Sequence, residues 1–115
     1  MQGRARLRKG GRFRYNIDAM ARYRIIQWRD LPSQVEATDG EHTARVPLSQ
    51  RFQDLIDAMA MREGASESEA YLEGWAPGPE MERPGDAETV ARQVAAELED
   101  GFQDLVTRRV LGPPR

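Results

Sequence analysis

Cysteine is absent from the 115 residues and histidine occurs once, as His42. Without cysteine there is no disulfide framework, thiolate nucleophile or zinc ribbon, and one imidazole cannot build a His-rich metal cage. No cofactor and no metal site are therefore expected. Long apolar runs are missing too: nothing approaches the ~20 consecutive apolar residues that span a bilayer, and no signal-peptide core follows the basic N-terminus. A single small cytoplasmic domain without membrane contact is the expectation. Val, Ile, Leu and Phe are scarce, 21 in all, but the net charge of −2 is too small to predict disorder. A thin core follows.

That small net charge hides two opposite parts. Residues 1–19 hold Arg4, Arg6, Arg8, Lys9, Arg12 and Arg14 against Asp18 alone, +5, so the remainder carries −7. Residues 1–19 read as a basic disordered arm or a non-native extension ahead of Met20, which opens a natural strand, Met-Ala-Arg-Tyr-Arg-Ile-Ile. An authentic arm of this kind would bind nucleic acid or anionic lipid through counterion release; without it, nucleic acid is not an expected partner for so acidic a domain.

Strands come first. Tyr23–Trp28 concentrates aromatic and β-branched residues and stops at a turn through Arg29-Asp30-Leu31-Pro32. Gln34–Thr38 and Glu41–Val46 flank Asp39-Gly40, a dipeptide suited to a two-residue type I′ hairpin. That turn sets Thr38 opposite Glu41, Ala37 opposite His42 and Val35 opposite Ala44. It places Val35, Ala37, His42, Ala44 and Val46 on one face and an all-polar set, Arg45 included, on the other.

Helices follow. Ser49 is placed to cap a helix carrying Phe52, Leu55, Ile56 and Met59 that closes at Gly64. Ser66 and Glu69 spell a capping box for a short helix with Ala70, Tyr71, Leu72 and Trp75. Ala76–Gly85, with three Pro and two Gly, reads as a loop without regular structure. Asp86 caps a third helix whose stripe runs Val90, Val94, Leu98, Phe102, Leu105, with Gly101 marking a kink or an early end. The expected fold is α+β: a three-stranded antiparallel sheet followed by three helices packed on one face, over residues 20–111, with 112–115 a disordered tail.

Chemistry is sparse. Glu63, Glu67, Glu69 and Glu73 have the spacing of a solvated surface, His42 lies at a hairpin end without a Ser or Asp beside it in the pattern, and Met59 and Met61 suit helix packing. No phosphate-binding loop, dinucleotide fingerprint or metal-ligand spacing occurs, so no catalytic residue is assigned. Two groups suit interaction instead. One is Trp28-Arg29-Asp30 at its turn, since Trp and Arg are enriched in interface hot spots; the other is Tyr71 and Trp75 beside the Arg83 loop, where a groove could form.

Three phrases, Tyr23 to Val35, Val46 to Asp57 and Ala70 to Trp75, together resemble the small bacterial virulence-factor family, and a segment of staphylococcal conserved virulence factor C that accompanies HEAT-type repeats. The resemblance covers about Met20 to Leu98 and leaves residues 1–19 outside. It implies a non-enzymatic accessory or protein-interaction module and brings no catalytic residues; the expected partner is another protein or a second copy in a homodimer. It also implies, through association with corrinoid and folate one-carbon metabolism, an alternative role as a helper protein there. A second alternative comes from local pattern: a strand, a Pro, a helix, Gly64-Ala65-Ser66 and another helix are similar to ribbon-helix-helix regulators, with Arg45 as the strand's one basic side chain. Against DNA stand the Asp39-Gly40 hairpin and the Glu63, Glu67, Glu69 cluster.

Overall fold

Ala21, Tyr23 and Ile25 alternate with Arg22 and Arg24 in the first described strand, β1 (Met20–Trp28), so this stretch of it is apolar on one face and basic on the other. The computed structural model describes residues 19–112; the basic segment and the last three residues lie outside that range. β2 (Leu31–Thr38) runs antiparallel to β1, and β3 (Thr43–Pro47) runs antiparallel to β2. Tyr23 sits opposite Ala37, Ile25 opposite Val35, Val35 opposite Val46 and Ala37 opposite Ala44, so one apolar stripe crosses three strands.

The β2–β3 hairpin departs from the two-residue turn that Asp39-Gly40 suggests. Thr38 pairs with Thr43, which leaves Asp39, Gly40, Glu41 and His42 in the loop. Asp39 is the reason. Its Oδ1 accepts the backbone N–H of Glu41 at 3.0 Å and of His42 at 2.9 Å, an Asx turn that competes successfully with the tighter hairpin. The register moves by two residues, so Val35, Ala37, Ala44 and Val46 keep their shared face, while His42 leaves the strand for solvent.

Two further strands occupy the segment expected to be irregular. β4 (Trp75–Pro77) and β5 (Met81–Pro84) share the free edge of β1, giving a five-stranded antiparallel sheet. Trp75 lies opposite Trp28 and Arg83 opposite Ala21. The prolines that argued against a strand are tolerated because an edge strand needs ladder bonds on one side only.

The described residues also form four helices. α1 (Gln50–Arg62) begins after Ser49, whose hydroxyl donates to Glu99 instead of capping its own helix. α2 (Ser68–Glu73) starts at a Glu67 cap position, and the Ser66–Glu69 capping box does not form. α3 (Ala87–Asp100) is capped by Asp86, which accepts from Thr89 N–H at 2.8 Å. Gly101 then ends α3, and α4 (Phe102–Val110) is a separate helix.

The break at Gly101 divides the apolar stripe between two cores. Ala87, Val90, Ala91, Val94 and Ala95 of α3 cover the stripe formed by Ala21, Tyr23, Val35 and Ala37. Phe102 and Leu105 of α4 pack instead against a cluster of Trp28, Leu31, Leu55, Ile56, Met59 and Ala60, at the turn between β1 and β2. Arg83 ties the new edge strand to α3 through two bonds to Glu97, at 2.8 and 3.0 Å, and that guanidinium holds Glu97 below the usual carboxylate range despite some desolvation.

Candidate functional site

Trp28 pairs with Leu31, so Arg29-Asp30 is a two-residue turn. Arg29 has φ +54° and is the one non-glycine residue with positive φ among those described. Positive φ at the first central position alone matches a type II′ turn, where glycine is preferred. An L-residue there costs about 1–2 kcal/mol. Three contacts hold Arg29 in place. Its N–H donates to Gly74 O at 2.7 Å, its guanidinium lies 4.6 Å from the centre of the Trp28 ring, and it pairs with Glu63.

Beneath Arg29, Trp28 is fully buried and its Nε1 donates to Tyr71 O at 2.8 Å. Tyr71 stacks on it with ring centres 5.9 Å apart, and Trp75 meets Tyr71 edge-on at 6.0 Å. Gly74 makes the approach possible: a Cβ there would lie 2.4 Å from Trp28 Nε1. Gly74→Ala is therefore expected to cost about 2 kcal/mol through overpacking, read as a lowered urea midpoint. An unchanged midpoint would mean the α2–β4 corner yields freely.

Around the aromatic ladder lies a ring of charges. Glu63, at the end of α1, takes Arg29 with one oxygen and lies 3.4 Å from Arg109 Nη2 with the other; Arg109 Nε lies 3.3 Å from Asp30 Oδ1. That Nε is buried and makes no hydrogen bond among the described residues. Asp30 is largely exposed, and Leu72 beside Tyr71 is 67% exposed. The site thus has a buried Trp floor, half-buried Tyr71 and Trp75, an exposed leucine and an ion-pair rim.

Five of the residues singled out from sequence, Trp28, Arg29, Asp30, Tyr71 and Trp75, come together here. Trp28 serves as core, and the exposed surface belongs to its neighbours. Arg83 is elsewhere. It pairs opposite Ala21, seven residues along β1 from Trp28, or roughly 23 Å at ~3.3 Å per residue, so it forms no groove with Tyr71 and Trp75. Arg45 lies on the sheet's polar face, bonded to Glu36 at 2.9 Å. Glu63 and Arg109 were not singled out: Glu63 reads as a solvated acid, and nothing local marks Arg109. Among the described residues no group of three His, Cys, Asp or Glu side chains could hold a metal, and no helix is long and apolar enough to cross a membrane.

A family model described as "Virulence factor" matches residues 26–108, which include this site apart from Arg109. No curated protein and no solved structure matches the chain.

Proposed function

We propose that this chain, which belongs to the virulence-factor family, works as a non-enzymatic protein-interaction module whose docking face is the Arg29–Asp30 turn with Tyr71, Leu72 and Trp75. One observation carries the reading: Arg29 occupies a glycine-type turn position and is held there by Gly74 O, Trp28 and Glu63. Backbone strain persists where the surroundings over-determine it, and such positions cluster at binding sites. The composition supports the same reading, since a partner meets two half-buried aromatic rings and an arginine already laid in place, the residue types that dominate interface hot spots. Glu63 and Gly74 pre-order Arg29, so little side-chain entropy remains to be lost on docking.

The ribbon-helix-helix alternative asks the strand before α1 to read base edges. Here that strand is β3, paired along its length with β2, and Arg45 is engaged with Glu36. The role in corrinoid or folate metabolism rests on the family resemblance alone.

Affinity capture from the native host with three forms of the full chain tests the proposal. Wild type and Arg92→Ala, on the exposed side of α3, are expected to recover the same protein. Asp30→Lys is expected to recover at least tenfold less while melting within a few degrees of wild type. Equal recovery by Asp30→Lys would remove this face from the interaction.

A further inference from the structure

Away from that face, the polar side of the sheet has a shallow hollow of about 230 Å³ lined by Arg22, Arg24 and Arg45 with Glu36 and Glu80. Three guanidiniums converge although the described residues hold only ten basic against eighteen acidic side chains. Their carboxylate partners are not equivalent. Glu36 accepts a direct bond from Arg45 Nε at 2.9 Å and is three-quarters buried. Glu80 makes no hydrogen bond to either arginine: its Oε2 lies 3.6 Å from Arg22 Nε and 3.9 Å from Arg24 Nη2, and its side chain is half exposed.

The backbone explains why Glu80 is there. Ile26 pairs with Pro77 and Tyr23 with Met81, so Arg24 and Ile25 of β1 face three residues, Gly78, Pro79 and Glu80, of the edge segment. Gly78 N–H donates to Ile25 O at 2.8 Å, and the edge segment carries one residue more than β1 opposite it, a bulge. Bulges of this kind re-aim a side chain. This one places a single carboxylate oxygen between two arginine forks without bonding to either.

We propose that the hollow binds a phosphate group, whose oxygens replace the Glu80 carboxylate between Arg22 and Arg24 while Arg45, fixed by Glu36, closes the third side. Each guanidinium has five N–H donors in a planar fork that matches phosphate oxygens two at a time. With Glu80 turned out to solvent, three guanidiniums and Glu36 leave +2, the complement of a phosphate monoester at about −1.5 to −2. A compact dianion suits the site. A long polyanion does not, because the rest of the domain is acidic and repels it. Thr38 and Thr43, side by side on neighbouring strands, add two hydroxyls to the lining. Glu80 is then an internal competitor that holds the site until phosphate displaces it.

The test titrates the full chain with inorganic phosphate, O-phosphoserine and serine at constant ionic strength, following the arginine Nε–H resonances. Saturable shifts of Arg22 and Arg24 are expected with both phosphates and not with serine. Glu80→Gln is expected to tighten binding at least fivefold, and Arg24→Gln to weaken it at least tenfold. Arg22→Gln provides the same reading if Arg24→Gln does not fold. Tighter binding of phosphoserine assigns the site to a phosphorylated residue, and equal binding to free phosphate. Absence of saturable shifts in both wild type and Glu80→Gln overturns the proposal. So does binding left unchanged by Arg24→Gln and Arg22→Gln, which would place the ion on the basic residues ahead of Ala19.

Discussion

Trp28→Ala is expected to lower stability by about 3–5 kcal/mol, the range for removing a large buried aromatic side chain. Trp28 is the largest fully buried side chain among the described residues, and three contacts depend on it. Tyr71 stacks on its ring, Tyr71 O accepts from its Nε1, and Arg29 covers its face. Alanine leaves a cavity and an unpaired carbonyl, and it releases α2, which has no buried residue of its own. A domain of this size has only about 5–15 kcal/mol in total. The melting temperature should therefore fall by more than ~12 °C, taking ~4 °C per kcal/mol as the lower conversion. A loss below ~1 kcal/mol would mean that the cluster around Trp28 is not a core. Because of this cost, Trp28→Ala cannot serve as an interface variant; Asp30 and Leu72 can.

Asp39→Ala is expected to cost about 3 kcal/mol, more than a simple helix cap, because one carboxylate serves two elements. Oδ1 holds the β2–β3 loop through Glu41 and His42 N–H, and Oδ2 accepts from Ala87 N–H at 3.0 Å, at the start of α3. The helix that covers the sheet is thereby fastened to the hairpin. Burial pushes the Asp39 carboxyl up, but the N–H groups of Ala87, His42 and Glu41 and the nearby His42 ring outweigh it, and the net shift is below the ordinary value near 3.8. The sign follows from linkage. A depressed folded pKa contributes stability that is full above the unfolded value and is lost as pH falls through the folded one. Wild type should therefore lose stability below about pH 4, and Asp39→Asn should be weaker at neutral pH with a flatter acid limb. Parallel pH profiles for the two proteins would contradict this role.

Both predictions involve contacts that local sequence pattern reveals only in part. β1, β2, β3 and α1 are legible because a period of two or of three to four residues, bounded by Pro and Gly, is a local property. Asp86 is legible as a cap for the same reason. The hairpin register is not, because Asp39 can serve either a tight turn or an Asx turn, and the choice is reinforced by Ala87, far along the chain. β4 and β5 are hidden because their partner is β1, distant in sequence, and their prolines are tolerated there because an edge strand bonds on one side only. One stripe from Val90 to Leu105 reads as one helix, since its period cannot say that the two halves serve different cores.

The candidate face shows the same division. Trp28, Arg29, Asp30, Tyr71 and Trp75 stand out by residue type, whereas their meeting depends on the Trp28–Trp75 pairing. Glu63 and Arg109 enter only through the packing of α1 and α4 around the turn. The positive φ of Arg29 has no sequence signature at all, because glycine would be the residue to expect there.

The claim that this face docks a protein is tested most directly by hydrogen exchange on the complex with the partner captured from the host. Slowed exchange concentrated at residues 28–31 and 70–76, with β3 and the outer side of α3 unchanged, is the predicted result. Protection confined to β3 or to the polar sheet face, with residues 28–31 exchanging as in the free chain, would contradict it.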